Sequence, residues 1–303
     1  MRGSASCSTS RSAKPIAVNA VSGSSRTRRE KPHRNTNCLH RAIVGVEGKI
    51  VGEKTGISWT DSTFNPWWGC TKVSAGCDNC YAESLDKRWG TPHWGKGVPR
   101  RVFADKHWNE PLKWEREAQA AGVKRKVFCA SMADVMDDEA PEGQRERLWE
   151  LIDNTPNLIW QLLTKRPQRY KKYLPANFKH DNVWLGTSAE DQANYDLRWP
   201  ILREAADMWG TVSWISYEPA LGPLRLHSNL RDNHFLVPDW VICGGESGSG
   251  HRPFEQQWAE DLQAECRLYD VKFFMKQMGG LTPEQGKALI PAHLLIHEFP
   301  EVA

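Results

Sequence analysis

Three cysteines stand in one short stretch, Gly69-Cys70-Thr71-Lys72-Val73-Ser74-Ala75-Gly76-Cys77-Asp78-Asn79-Cys80-Tyr81, at C-x6-C-x2-C spacing. Eight cysteines in 303 residues do not make a disulfide scaffold, so thiols this close read as metal ligands in a reducing, cytoplasmic setting. Gly69 and Gly76 each precede a cysteine, where the absence of a Cβ lets the backbone turn and gather separated thiols. The count of three carries information. Structural zinc normally closes a tetrahedron with four protein ligands, whereas an iron-sulfur cube on three cysteines leaves one iron open to a cofactor or substrate. The alternative is a zinc site whose fourth ligand, His93 or Cys129, comes from farther along, in a structural or adaptor protein without redox activity. Cys129, Cys243 and Cys266 lie in apolar or amphipathic runs and read as small buried hydrophobes.

The loop needs a frame. After it, Tyr81, Leu85 and Trp89 recur at helical spacing, with Asp78 or Asn79 as a cap and Gly90 as a stop. This predicts that Cys80 lies in the first helical turn, where the positive end of the helix dipole favours the thiolate. Before the loop, residues 56–69 predict a strand, interrupted at Asn65-Pro66, that delivers the cysteines. Pro92, Pro99 and Pro111 break any long helix over 91–119, leaving one around 112–121.

From Lys126 the chain settles into a rhythm of short apolar runs: 127–130, 158–163, 183–186, 212–215, 240–243 and 271–275. They start at roughly the 30-residue interval of a βαβ unit. Helical patterns fill several gaps, at 142–154, 167–174, 193–206 with a break at Pro200, and 254–269. Residues 221–238 form an irregular excursion. Alternation of this kind predicts an α/β protein with a parallel sheet and outer helices, and seven strands predict a partial or irregular (β/α) barrel. The polar residues cluster just after the apolar runs. They are Ser131 and Asp134; Lys165 and Arg166; Thr187 and Glu190; Glu218; Gly244, Gly245, Glu246 and Ser247; and Lys276. In a (β/α) barrel these positions share one mouth with the cysteine loop. Lys165 and Arg166 suit a carboxylate or phosphate; Glu190, Glu218 and Glu246 suit amino or hydroxyl groups; a Gly-rich backbone suits close approach of a flat ring or ribose.

Composition narrows the class. A mean hydropathy of −0.61 and no long apolar run exclude a membrane-spanning helix. The net charge of +3 is uneven: residues 1–50 hold ten Lys and Arg against two acidic residues, and the remainder 30 against 35. Nucleic acid as a partner therefore gets no support from the charge of the body. Residues 1–50 are Ser- and Arg-rich, lack periodicity and predict a disordered basic tail. The tail reads as a transit peptide, a nucleic-acid-binding arm, or an upstream extension of a protein that begins near Val44 or Val51.

Several segments together resemble a known family. Thr60-Asp61 through Asn65-Pro66 to Gly69-Cys70, then Gly76-Cys77-Asp78-Asn79-Cys80-Tyr81-Ala82, are similar to the phage-associated three-Cys-motif family, a domain of unknown function in phages and bacteria. Ser131-Met132-Ala133-Asp134, Leu163-Thr164-Lys165-Arg166-Pro167, Gly186-Thr187-Ser188, Glu218-Pro219, Gly244-Gly245-Glu246-Ser247-Gly248 and Arg252-Pro253 extend the resemblance over about 55–279. That family is in turn similar to the radical S-adenosylmethionine (AdoMet) enzymes. The resemblance implies a [4Fe-4S] cluster on Cys70, Cys77 and Cys80, with AdoMet bound by the strand-end residues named above. It also implies an electron donor such as a flavodoxin or ferredoxin, and a 5′-deoxyadenosyl radical acting on an unknown substrate, nucleotide or nucleic acid among the candidates. The first cysteine gap here is six residues where that superfamily has three, and the Gly-Gly-Glu run follows a late strand. The expected organisation is a tail over 1–50, a barrel over 51–280 and an extension over 281–303.

Overall fold

The computed structural model describes residues 55–88, 90, 92–175, 178, 181–226 and 237–301. The expectations for residues 1–54, with Cys7 and Cys38, and for most of the 221–238 excursion lie outside these.

Strand β1 (Ser62–Thr63) is followed by β2 (Trp67–Trp68), the cysteine loop, α1 (Tyr81–Arg88) and β3 (Arg101–Val102). Next come α2 (Asp105–Ala121), β4 (Arg125–Cys129), α3 (Gln144–Asp153), β5 (Leu158–Thr164) and α4 (Tyr170–Tyr173). The chain continues through β6 (Val183–Ser188), α5 (Gln192–Trp209), β7 (Val212–Tyr217), β8 (Trp240–Gly244), α6 (Gln256–Leu268), β9 (Lys272–Gln277) and α7 (Pro283–Ala288). Seven strands pair in parallel in the order β1-β4-β5-β6-β7-β8-β9, a curled half-barrel in which each strand lies beside the next. Strands buried on both faces read as unbroken apolar runs, which is why the sequence exposed them.

Two apolar clusters sandwich the sheet. Val127, Cys129, Trp160, Leu162, Leu185, Ile215, Val241 and Phe273 meet Trp114, Leu148, Trp199 and Leu262 of the helices. The alternate residues Phe128, Ile159, Trp184, Trp214, Trp240, Ile242 and Phe274 fill the concave side together with Trp59. Trp59 precedes β1, and its ring lies 4.6 Å from Phe128, 5.4 Å from Trp214 and 6.0 Å from Trp240 between centroids. At the amino-terminal end of the strands, Phe299 packs on Trp240 and Phe274 at 5.4 Å from each, with the Lys126 ammonium 4.8 Å from its ring. The Trp240 indole donates to Glu298 O at 2.9 Å, so the last described turn of chain stoppers that end.

The structure corrects three local expectations. Helix α2 runs through Pro111, and α5 through Pro200. Each proline forfeits one backbone hydrogen bond, but tertiary packing of a 17- or 18-residue amphipathic helix outweighs that loss. The expected single strand over 56–69 is two short pieces. Asn65-Pro66 turns the chain so that β1 joins the barrel and β2 pairs antiparallel with β3. Among the described residues no helix is long and apolar enough to cross a membrane.

Candidate functional site

The cysteine loop leaves β2 and lies over the carboxyl ends of the parallel strands. Gly69, at φ +114, turns it: a Cβ there would meet His93 O at 2.2 Å. A 3-10 turn, Ala75–Cys77, then leads to α1. Cys80 lies one residue before α1, its carbonyl accepting from Ser84 N at 3.1 Å, so it is the cap rather than a first-turn residue as expected. Its thiol is pushed up, not down. Burial outweighs the Glu83 and Ala82 backbone donors and the nearby Lys165 charge. Cys70 is pushed up to about 12 by burial and by Asp134, against the opposing Arg166 charge. Metal binding at these positions must displace protons, so it is favoured by rising pH.

Strand-end residues hold the loop from four sides. After β4 and β5, Arg166 donates to Asp134 Oδ2 at 2.7 Å, to Cys70 Sγ at 3.7 Å and to Thr71 O. Asp134 also accepts from Thr164 Oγ1 at 2.6 Å and from Lys165 N at 3.1 Å. Arg100, nearly buried, binds Thr71 Oγ1 at 2.7 Å and Asp137 at 2.8 Å, and its other nitrogen caps the carbonyls of His93, Gly95 and Val98. After β6, Glu190 is fully buried and accepts from Ser74 Oγ at 2.7 Å and Arg198 at 2.7 Å, with Lys165 Nζ at 3.7 Å. Burial alone would raise this carboxyl, but Lys165, Arg198 and Ser74 together hold it below the usual carboxylate range.

After β8, Glu246 accepts from Asn79 Nδ2 at 2.9 Å and is gripped by Arg252, at 2.6 Å and 3.1 Å. Arg252 in turn reaches Ala75 O at 3.0 Å. Arg252 and Asn79 overcome the burial of Glu246 and lower its carboxyl as well. These contacts bring Asp134, Arg166, Glu190 and Glu246 together around the loop.

The other candidate residues are placed differently. Lys276 pairs with Glu218 at the mouth, and the Gly244 Cα faces both. Tyr81 lies close enough to feel the charges of Cys80 and Glu218, and its hydroxyl donates to Ser131 O at 3.0 Å. Ser131 Oγ itself accepts from Asn65 Nδ2 at 3.2 Å. Thr187 is not at the mouth surface: it is fully buried and donates to Thr164 O at 2.8 Å across the sheet. Gly245 and Ser247 stitch the β8 end to the segment after β9, with Gly245 N donating to Gln277 O at 3.0 Å and Ser247 bridging Gly280. A cavity of about 340 Å³, lined among others by Thr71, Lys96, Asp137, Glu139 and Arg166, opens beside the loop.

Reasoning from sequence alone did not single out Arg100, Asp137 or Arg198. Arg198 left a signal, falling on the buried stripe of α5 with Tyr195, Trp199 and Leu202. An arginine there demands a buried acid. Arg100 and Asp137 left none, since neither sits on a periodic element.

Gly76 shows how tightly the loop seats: a Cβ there would lie 2.3 Å from the Glu190 carboxylate arm. Glu190 is fixed by three partners and cannot yield cheaply. Gly76→Ala is therefore expected to destabilise the fold by about 1–3 kcal/mol through overpacking. A lowered urea midpoint checks this, and an unchanged one would mean the loop does not rest on Glu190.

The donor set fits an iron-sulfur cluster by its chemistry. It consists of three thiols in one loop, free of disulfides, over the open end of a half-barrel. Among the described residues no three His, Cys, Asp or Glu side chains gather about a single point as ligands of one ion. A cluster does not ask for that, because each thiolate takes a different iron. Of the outside ligands considered for zinc, Cys129 is buried on the helix side of the sheet, while His93 has its Nδ1 2.8 Å from Asp86, which leaves Nε2 as the nitrogen that a metal would take.

Among solved structures, the chain is similar to a double mutant of spore photoproduct lyase with bound AdoMet and dinucleoside spore photoproduct. Identity is 13% and the TM-score 0.44, over 68% of this chain and 61% of that one. A cysteine-to-serine mutant of the same lyase matches at 11% identity and TM-score 0.45, over 74% of this chain and 80% of that one. The chain thus spans about three fifths of the first of these structures. Curated proteins yield no match. Residues 54–294, well over half of the chain, match the family described as protein of unknown function (DUF5131), and the chain belongs to that family.

Proposed function

We propose that the chain is an iron-sulfur enzyme of the radical AdoMet type, with Cys70, Cys77 and Cys80 ligating a [4Fe-4S] cluster and AdoMet bound beside it. One observation carries the reading: strand ends β5, β6 and β8 each spend a charged side chain, Arg166, Glu190 and Glu246, on a three-thiol loop over the barrel mouth, and Asp134 after β4 holds Arg166 in place. When bound, such a cluster supplies the electron that cleaves the S–C5′ bond of AdoMet.

The protein's own part is position. Arg166 and Arg100 hold Cys70-Thr71, Glu190 holds Ser74, and Glu246 with Arg252 holds Ala75 and Asn79. In this reading Lys276 takes the carboxylate of AdoMet's amino-acid part, Glu218 its ammonium, and Gly244 and Ser247 its ribose. Lys165, one fifth exposed, provides a further cation next to Cys80. In this reading an electron donor such as a flavodoxin or ferredoxin supplies the electron, the barrel spans 51–280, 281–303 is an extension, and the setting is the cytoplasm.

Iron and labile sulfide in anaerobically purified protein test the assignment. Both are expected, together with AdoMet binding by calorimetric titration. Lys276→Ala is expected to weaken that binding about tenfold or more, as loss of a charge-assisted contact does, with iron unchanged. Equimolar zinc without iron or sulfide would instead establish the structural reading.

A further inference from the structure

Tyr81 opens α1 one turn before Leu85, and spacing alone puts the two on one apolar stripe. The fold turns the helix otherwise: Ala82 and Asp86 are the residues that α1 buries, and Tyr81 stays 53% exposed. It is not loose. Its hydroxyl reaches from the end of the cysteine loop to the β4 end, where it donates to Ser131 O at 3.0 Å. Burial pushes that hydroxyl up, and the charges of Cys80 and Glu218 add to the effect. A side chain with protein around its tip and half of its surface still open lines a hollow. The groups it meets place that hollow at the mouth, since it follows Cys80 directly in the chain and Glu218 carries Lys276 as its partner.

A phenol ring tied at its hydroxyl has already lost its freedom in the fold, so its open face is a preorganised surface for a ligand. Among the described residues no other ring stacks on Tyr81 and no cation lies over it. The kind of ligand follows from the face itself. A charged or hydroxyl-bearing fragment gains little from it, whereas a flat heterocycle stacks on it whatever its hydrogen-bonding edge.

We propose that the Tyr81 ring is the platform on which the adenine of AdoMet stacks. The inference rests on AdoMet being the ligand of the mouth, and it serves the part of that ligand which Lys276, Glu218, Gly244 and Ser247 leave without a partner. Those groups answer to charge and to hydroxyls. The adenine asks for an accessible aromatic face next to them, and Tyr81 offers one. The competing role is a plain tie, in which only the hydroxyl matters because it fastens the start of α1 to the β4 end.

Calorimetric titration of AdoMet into anaerobically reconstituted wild type, Tyr81→Phe and Tyr81→Leu separates the two. In Tyr81→Leu the dissociation constant is expected to rise about tenfold or more, the scale of one lost stacking contact. Tyr81→Phe keeps the ring and loses the tie, and is expected to bind close to the wild-type value. Iron and labile sulfide are expected to be equal in all three proteins. Equal affinity in Tyr81→Leu would overturn the platform, and so would a Tyr81→Phe as weak as Tyr81→Leu, which would reduce the residue to a tie. Iron lost from Tyr81→Leu would overturn it too, by showing that the ring serves the loop. A wild type that holds iron and sulfide but binds no AdoMet would take down the AdoMet reading together with the platform, whereas binding that Tyr81→Leu leaves intact removes the platform alone.

Discussion

Replacing any one of Cys70, Cys77 or Cys80 by Ala is expected to reduce the iron retained through anaerobic purification to near zero. Cys129→Ala and Cys266→Ala are expected to leave it unchanged. The three thiols share one loop above the strand ends, whereas Cys129 and Cys266 are fully buried in the apolar core between sheet and helices. With only three thiolates to begin with, the loss of one leaves two irons without protein ligands, and such a cluster does not persist. Colorimetric iron and sulfide assays, with circular dichroism to confirm folding, check the result. Full iron in Cys77→Ala would remove the assignment.

The second large effect is on the fold itself. Glu190→Ala leaves Arg198 and Lys165 facing each other in a buried site with no counter-charge, a situation that costs about 3–5 kcal/mol. Arg198 is 4% exposed and cannot swing to water. Urea unfolding should show a loss of that size. The same carboxylate sets a pH dependence. Its pKa is depressed in the folded state, so its contribution is present above the unfolded value of about 4.3 and is lost as pH falls through the depressed folded value. In the variant this part of the acid limb should vanish. A stability curve against pH with the same acid limb in both proteins would show that Glu190 is not the anchor described.

The barrel was legible from sequence because strands sandwiched between two apolar layers keep an unbroken hydrophobic run. The helices were legible where no proline interrupted them. Pro111 and Pro200 misled because local propensity counts the lost hydrogen bond and cannot count the packing that compensates it. The cysteine loop was legible through its spacing. Its anchors were visible only as residue types: Ser74 to Glu190 spans 116 positions and Asn79 to Glu246 spans 167, and no local pattern announces such pairs.

The stopper formed by Glu298 and Phe299 covers the amino-terminal end of the half-barrel. Trp59 fills its flank, and the cysteine loop sits at the rim. Removing Glu298 and Phe299 would therefore bare the Trp240 indole to water at the far end of the sheet while leaving every residue that holds the loop in place.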